Sequence, residues 1–332
     1  AGFLRVPGGK ELIENTGVHP ESYGAAKDLL KLCCFTLDDV GTEKIKEIKE
    51  NIDLIDIVYE VIDSRIPKSS KNKDVDGLIK NKPRILIMTK YDLCDESVTK
   101  EWKKYYESFG YKVVLLDLIK SPNLQPILDE TSKILKELNE KRIQKGLKER
   151  KARALILGIP NVGKSTLINR LVGRKATNVG NKPGITKKLE WIRINNQLEL
   201  LDTPGILWPR LDNNTLALNL ASMTAIKEEI LDIEEVAMYI IKTMLNLYPA
   251  QIKARYNLTN EEDIVEILDT IGKKIGAIRN SETDYDKVYT TILKDLREGY
   301  LGKVTFDIFE TYRREPVEDE YEFCNKCGKK LP

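Results

Sequence analysis

The sequence has no long apolar run, little net charge and no regular set of cysteines. None of its apolar stretches approaches the roughly 18 to 20 residues that a membrane-spanning helix needs, and the amino end lacks the basic-then-apolar pattern of a signal peptide. We therefore expect a cytoplasmic protein without a membrane partner. Five cysteines in 332 residues do not make a disulfide framework, so free thiols in a reducing compartment are expected.

The charge balance excludes a uniformly basic nucleic-acid-binding surface. The 54 Lys and Arg residues and the 52 Asp and Glu residues leave a formal net charge of +2. Any contact with RNA must therefore come from a local patch, and the segment 141–153, with the sequence KRIQKGLKERKAR, is the candidate. Such a run can equally be the solvated face of a helix.

Short apolar runs alternate with helical patterns in the first two thirds of the chain. The predicted single strands are Ile55 to Asp63, Ile85 to Met88, Val113 to Leu116 and Ala154 to Leu157. A hairpin that turns at Asn195-Asn196 is predicted over Trp191 to Leu201. The alternation predicts an α/β fold with a mostly parallel sheet covered by helices.

After about residue 215 the pattern is helical only, which predicts a separate, smaller all-helical domain. Thr259 to Glu262 has the form of a capping box for a helix that carries Ile264, Ile267 and Ile271 on one face. A last helix is predicted from Tyr285, with Gly299 placed to end it.

Residues 158–165 form a complete phosphate-binding loop between a predicted strand and a predicted helix. The glycines let backbone N–H groups surround phosphates, Lys164 reaches the outer phosphate oxygens, and the Ser165 hydroxyl ligates Mg²⁺. The residues expected to bind nucleotide here are Asn161, Val162, Gly163, Lys164, Ser165 and Thr166.

Two further segments are expected to complete the phosphate site. In Asp202-Thr203-Pro204-Gly205, the Asp202 carboxylate would hold Mg²⁺ through water, and the Gly205 N–H would sense the third phosphate. Thr186, which lies between the two motifs, would reach Mg²⁺ only when the third phosphate is present, although it could also belong to an ordinary turn.

Thr89-Lys90-Tyr91-Asp92 follows a predicted strand and is the candidate guanine-recognition motif. Asp92 would accept the two guanine donors at N1 and N2, while Lys90 packs its stem along the base. Adenine lacks that donor pair. Thr89 stands where Asn is usual, and its hydroxyl replaces only part of an amide's bonding capacity, a deficit of about 1 kcal/mol.

The order of these motifs predicts a circularly permuted GTPase, because the guanine motif at 89–92 precedes the phosphate loop. Permutation is tolerable because the ends of compact domains lie at the surface and often close together. It leaves the segment after Gly205 running directly into the next domain, so nucleotide-dependent motion should couple to that domain.

Several segments together resemble the ribosome biogenesis GTPase A family over about residues 42–306. They are Asp63 to Pro67, Thr89 to Asp92, Pro160 to Thr166, Pro183 to Thr186, Leu201 to Pro209, Ala225 to Lys227, Tyr248-Pro249 and Asp295 to Lys303. The resemblance implies a monomeric switch that binds GTP and GDP and assists late assembly of the large ribosomal subunit, in contact with rRNA. It gives a GTPase domain over 41–212 and a helical ribosome-binding domain over 213–308.

Hydrolysis is expected to be slow in the isolated protein. Ile206 stands where many GTPases carry the glutamine that orients water. The resemblance implies a potassium ion near the phosphates with Asn161 as its ligand, although Asn161 could instead cap the loop. Together with Asn161, the residues expected to serve catalysis are Lys164, Thr186 and Gly205.

The two ends of the chain do not fit this family. Residues 1–40 resemble a fragment of the Tex transcription accessory proteins, and we assign them no activity. The family's Phe-Pro-Gly-His-Met segment has no match here, and the single histidine is His19. In the tail, 309–332, Cys324 and Cys327 resemble half of a zinc ribbon, but the second pair of ligands is missing, so zinc is not expected.

Two other functions compete with the assembly switch. The first is a GTP-dependent nucleic-acid-binding regulator with little hydrolysis, which Ile206, the missing histidine segment and the foreign amino end favour. The second is an enzyme damaged by its first 40 residues, which would bind nucleotide better once they are removed.

Overall fold

A six-stranded sheet forms the centre of the protein in the computed structural model. The structure describes residues 46, 48–72, 76–77, 79, 82–120, 123–173, 189–203, 205, 214–226, 232–259 and 263–309. The sheet strands are β1 (Ile57–Asp63), β2 (Arg84–Thr89), β3 (Lys112–Leu115), β4 (Ala152–Leu157), β5 (Glu190–Arg193) and β6 (Leu198–Asp202). The sheet helices are α1 (Glu96–Ser108), α2 (Gln125–Gln144) and α3 (Lys164–Val172).

The strand order is β3-β2-β1-β4-β6-β5, with every pair parallel except β5 and β6. The mostly parallel α/β sheet is therefore confirmed, and β5 and β6 form the predicted hairpin. Strand β1 lies between β2 and β4, with Asp63 opposite Thr89 on one side and Glu60 opposite Leu157 on the other. The carboxyl ends of these three strands consequently meet at one edge of the sheet.

Strand β1 shows why this sheet forms. All seven of its residues are buried, as expected for a parallel strand with both faces covered. Because side chains alternate across a strand, Tyr59 and Val61 join the main apolar cluster on one face, while Val58 and Ile62 join clusters on the other. The run of β-branched and aromatic residues that predicted the strand is thus explained by burial on two sides.

The part after residue 213 is mainly helical. Its elements are α4 (Asn214–Ser222), α5 (Ile233–Leu247), α6 (Pro249–Tyr256), α7 (Ile264–Ile275), β7 (Ile278–Arg279), β8 (Glu282–Thr283) and α8 (Tyr285–Glu298). The small hairpin of β7 and β8 corrects the prediction of helices only. Its two-residue strands are too short to show a period-2 pattern in the sequence.

The capping of α7 also differs from the sequence prediction. The carboxylate of Asp263, and not a capping box begun by Thr259, accepts hydrogen bonds from the N–H groups of Val265 and Glu266. An aspartate directly before the helix satisfies the same free N–H groups. The predicted end of α8 is confirmed, since Gly299 follows it in the left-handed conformation.

The helical part packs on the sheet and not beside it. One buried apolar cluster includes Ile156 of β4, Ile240 of α5 and Leu293 of α8. The segment after α8 returns to the sheet, where the Phe306 N–H donates to the Arg65 carbonyl at 2.7 Å and Trp102 Nε1 donates to the Asp307 carbonyl at 2.8 Å. Among the described helices, none has the length and apolar character of a membrane span.

Gly158 is the point where β4 meets the backbone of β1. Its φ is +152°, and a Cβ added there would collide with the carbonyl oxygen of Val61.

We expect Gly158→Ala to lower the free energy of unfolding by about 2 to 4 kcal/mol, measured by urea unfolding without nucleotide. Gly146→Ala is the matched control, because Gly146 has φ +72° and open space around it; it should lose only about 1 kcal/mol. Equal losses would contradict the steric argument.

Candidate functional site

The phosphate-binding loop occupies residues 158–163, between β4 and α3. Gly163 precedes α3 with φ +97°, and a Cβ there would lie 3.0 Å from Leu118 Cδ1. The Lys164 side chain is buried, and its Nζ donates to the carbonyls of Gly158 at 2.9 Å and Ile159 at 2.8 Å. The lysine therefore folds back along its own loop, at a helix amino terminus that favours anions.

The candidate guanine motif contacts this loop through Thr89. The residue is completely buried, and its Oγ1 lies 2.6 Å from the Val162 carbonyl oxygen and 3.0 Å from the Ile62 carbonyl oxygen. One hydroxyl proton can be donated to only one of these carbonyls at a time. The structure thus shows Thr89 as a link between the loop and the ends of β1 and β2, while nucleotide contact by Thr89 stays a prediction.

Lys90 and Asp92 follow at the same edge of the sheet. Lys90 takes the left-handed conformation, with φ 56°, and its Nζ lies 2.9 Å from Asp63 Oδ2. Asp92 lies in a short 3-10 helix, Tyr91–Leu93, with its side chain 15% exposed and Oδ2 3.9 Å from Lys120 Nζ. Asp92 therefore keeps a small open surface where a base could be bound.

Asp63 and Arg65 are site residues whose role was not assigned from the sequence. Arg65 Nε and Nη2 donate to the two carboxylate oxygens of Asp63 at 3.0 and 2.8 Å. Although burial alone would raise the pKa of Asp63, the charges of Arg65 and Lys90 hold it well below its usual value. The carboxylate therefore stays charged and fixes Lys90. The sequence signal that could have identified Asp63 is its place at the end of the first strand, which pairs with Thr89 at the end of β2.

The segment after β3 also lies at this site, and sequence reasoning did not place it there. The Tyr91 N–H donates to the Leu116 carbonyl at 3.4 Å, and Leu118 contacts the loop at Gly163. Asp117 Oδ1 accepts from the N–H groups of Ile119 at 2.8 Å and Lys120 at 3.0 Å. As the third parallel strand in this row, β3 must end at the same edge.

Asp202 ends β6 on the other side of the loop. Its Oδ1 is buried and has no hydrogen-bond partner among the described residues. Burial raises the pKa of Asp202 to about 6, with Lys164 acting against the shift and Glu190 adding to it. A buried carboxylate oxygen without a donor fits a cation such as Mg²⁺. Within the described ranges, no group of three or more His, Cys, Asp or Glu side chains could hold a metal ion.

Two later parts of the chain contact the loop, one at Gly205 and the other at Thr224. A Cβ at Gly205 would lie 2.6 Å from Pro160 Cα, so the backbone after Asp202 packs closely on the loop. Asn161 has φ 59°, and its Nδ2 donates to the Thr224 carbonyl at 2.6 Å. Ser165 and Thr166 lie in the first turn of α3. Thr186, Ile206, His19, Cys324 and Cys327 lie outside the described residues.

Known proteins are similar in sequence to this chain along most of their length. Ribosome biogenesis GTPase A of Priestia megaterium is 43% identical over 265 residues, which are 79% of this chain and 92% of that protein. The chain belongs to the ribosome biogenesis GTPase A family. The Bacillus cereus member is 41% identical over 82% of this chain and 93% of its own length. Membership makes this chain a GTPase, as its motifs predicted.

Family models and solved structures agree with this assignment. A model described as "50S ribosome-binding GTPase" matches residues 153–280, and one described as "RsgA GTPase" matches residues 40–211. The GDP-bound structure of TM YlqF has a TM-score of 0.60 at 24% identity and covers 80% of this chain and 99% of that one. At this identity the likeness shows the fold alone.

A third family model, described as an HHH domain, matches residues 11–65. Its range extends into β1, which is the central strand of the sheet. The description does not name the Tex proteins, and residues 1–45 lie outside the described part of the chain. The resemblance of residues 1–40 to Tex therefore stays a prediction.

Asp92→Asn should change the base preference of the site from guanine to xanthine. Xanthine carries an oxygen in place of the guanine 2-amino group, so an asparagine amide can donate where the carboxylate could only accept. We expect GTP affinity to fall about a hundredfold and xanthosine triphosphate affinity to rise, both measured by calorimetric titration. Asp95→Asn, which keeps the cap of α1, should leave the preference unchanged. An unaltered preference in Asp92→Asn would show that Asp92 does not contact the base.

Thr89→Val tests the link between strand and loop. Without the hydroxyl the buried Val162 carbonyl loses its 2.6 Å partner, which should weaken GDP affinity by about fivefold. Thr89→Ser keeps the hydroxyl and is the matched control, expected to bind GDP within about twofold of the parent protein. If both variants bind GDP equally well in a fluorescence titration, the hydrogen bond does not support the site.

Proposed function

We propose that this GTPase assists late assembly of the large ribosomal subunit, docking with GTP bound and leaving after hydrolysis. The observation that carries this proposal is the extent of the family match. It covers about nine tenths of relatives named ribosome biogenesis GTPase A, and the model "50S ribosome-binding GTPase" continues through α4 to α7 as far as residue 280. We infer a cytoplasmic monomer, with a GTPase domain over 41–212 and a helical ribosome-binding domain over 213–308.

The described residues support a division of roles around the nucleotide. Backbone N–H groups of the loop and Lys164 would bind the phosphates, Lys164 by turning from the carbonyls that it now contacts. Asp92, backed by Lys90 and Asp63, would bind guanine. Ser165, with Asp202 through water, would hold Mg²⁺, which when bound neutralises charge on the β- and γ-phosphates. The buried Asp202 Oδ1 without a donor and the partly exposed Asp92 carboxylate support these assignments.

Catalysis would rely on position and charge, because the side chain of Ile206 cannot orient water by hydrogen bonding. The Gly205 N–H, held on the loop by its contact with Pro160, would sense the γ-phosphate. Thr186 would join it when GTP is bound. The amide oxygen of Asn161 would be the ligand for potassium, which supplies positive charge near the phosphates.

RNA contact is proposed for one part of the basic segment 141–153. Its carboxyl end already pairs within the protein: Arg150 Nη2 lies 2.6 Å from Asp56 Oδ1, and Lys151 Nζ lies 3.3 Å from Glu199 Oε1. The exposed residues around the end of α2, Lys141, Lys145 and Lys148, are therefore the ones that we assign to the RNA backbone.

A GTP-dependent nucleic-acid-binding regulator with little hydrolysis is the second candidate. The HHH-domain match over 11–65 and the isoleucine at position 206 favour it. Such a protein would bind RNA in its GTP form, and ribosomal subunits would not change its turnover.

GTP turnover with and without purified large ribosomal subunits separates the two candidates. We expect the subunits to raise turnover by about tenfold or more in potassium, and by much less when sodium replaces potassium. Small subunits and ATP serve as controls and should give no stimulation. GTP binding without any stimulation by large subunits would exclude the assembly switch and support the regulator.

A further inference from the structure

The carboxyl end of α4 lies between the phosphate loop and α8. From one side, Asn161 Nδ2 of the loop donates to the Thr224 carbonyl at 2.6 Å. From the other, Arg297 of α8 donates through Nε to the Ser222 carbonyl and through Nη2 to the Ala221 carbonyl, both at 3.1 Å. The last carbonyls of a helix have no partner within it, so these side chains supply donors that the helix end requires.

The backbone at this end has the form of a Schellman motif. The Ala225 N–H donates to the Leu220 carbonyl at 2.9 Å, and the Thr224 N–H donates to the Ala221 carbonyl at 3.3 Å. Thr224 has φ 65°, at the position where glycine is usual. A threonine in this conformation costs about 1 to 2 kcal/mol, so the neighbouring contacts must hold it there.

Burial and hydrogen bonds fix the body of α4, so its carboxyl end is the part that a shift of α8 can move. Residues 217–222 are all buried. Asn219 Nδ2 donates to Ser69 Oγ and Asp307 Oδ1, both at 3.0 Å, and Asn219 Oδ1 accepts from Tyr239 Oη at 2.7 Å. The helix is thus tied to the segment after β1, to α5 and to the segment after α8. A shift of α8 would reach the Thr224 carbonyl through the paired carbonyls next to it.

We propose that Arg297 is a positioning residue for GTP hydrolysis: by fixing the end of α4 it holds the Thr224 carbonyl on Asn161 and so sets the orientation of the Asn161 amide. The inference rests on the proposed role of Asn161 in hydrolysis. It gives the helical domain a route to the phosphate site that bypasses the segment after Gly205. A ribosomal surface that moves α8 would change GTP turnover by this route.

Arg297 also has a second effect that the experiment must separate. Its charge contributes, after burial and Arg65, to lowering the pKa of Lys90 in the guanine motif. Loss of that charge could alter nucleotide affinity directly. Arg297→Lys keeps the charge but loses the planar fork that reaches two carbonyls, so it removes the positioning while preserving the electrostatic effect.

A double-mutant cycle with Asn161→Ala tests the proposal. Arg297→Lys and Arg297→Gln should each lower GTP turnover at saturating GTP by roughly tenfold, with GDP affinity for Arg297→Lys within about twofold of the parent. In the Asn161→Ala background, the same changes should lower turnover no further. Amide hydrogen exchange at Thr224 and Ala225 should become faster in both Arg297 variants, with or without nucleotide.

Arg255→Gln is the matched control. Arg255 also pairs with α8, through Nε to Asp295 Oδ2 at 2.7 Å. Among the described residues it has no hydrogen bond to residues 221–224 at the end of α4. It should keep normal turnover. Thermal unfolding confirms that each variant folds, and if one Arg297 variant does not fold, the other supplies the cycle.

The outcomes are distinct. Arg297 variants that lower turnover equally in both backgrounds, or in neither, would overturn the positioning role while leaving Asn161 in the site. Normal turnover in Asn161→Ala alone would remove the proposed role of Asn161 and this inference with it. Neither result would change the outcome of the large-subunit experiment, which tests the assembly function separately.

Discussion

The parallel pairing of β1 with both β2 and β4 is the constraint on which the site depends. Because the three strands run the same way, the candidate guanine motif at the end of β2 and the phosphate loop after β4 are brought to one edge, although 65 or more residues separate them along the chain. Gly158 allows the loop to leave β4 against the backbone of β1. The Thr89 hydroxyl then joins the two motifs at Val162. The permuted order of the motifs is harmless because strand pairing, and not chain order, sets their distance.

Because of the permutation, the chain that leaves the phosphate site at Gly205 leads directly into the helical part. The chain runs from Asp202 and Gly205 into the helical part, and α4 is the first described element that it enters. That helix is buried, and the Thr224 carbonyl that follows it accepts a hydrogen bond from Asn161. The phosphate loop therefore contacts this part of the chain twice, at Gly205 before α4 and at Thr224 after it. These contacts join the phosphate loop directly to the helical part of the chain.

The sequence predicted the sheet well, and the contacts around the candidate nucleotide motifs poorly. Strand β1 could be predicted because burial on both faces leaves a run rich in β-branched and aromatic residues, and the β5–β6 hairpin because two such runs flank the turn at Asn195-Asn196. The β7–β8 hairpin was missed because two-residue strands leave no period. The capping box was wrong because Thr259 and Asp263 are both good cap residues, and only the position of the helix decides between them. The contacts of Lys90 with Asp63, of Asn161 with Thr224 and of Arg297 with Ser222 join residues far apart in the chain, so no local pattern contains them.

Cosedimentation with large ribosomal subunits tests the central claim most directly, namely that one guanine-nucleotide site controls docking on the ribosome. The chain would be sedimented with large subunits in the presence of a non-hydrolysable GTP analogue, GDP, or no nucleotide, with small subunits as the control. The account predicts retention on large subunits with the analogue and release with GDP. Equal sedimentation in all three conditions, or equal binding to small subunits, would contradict it.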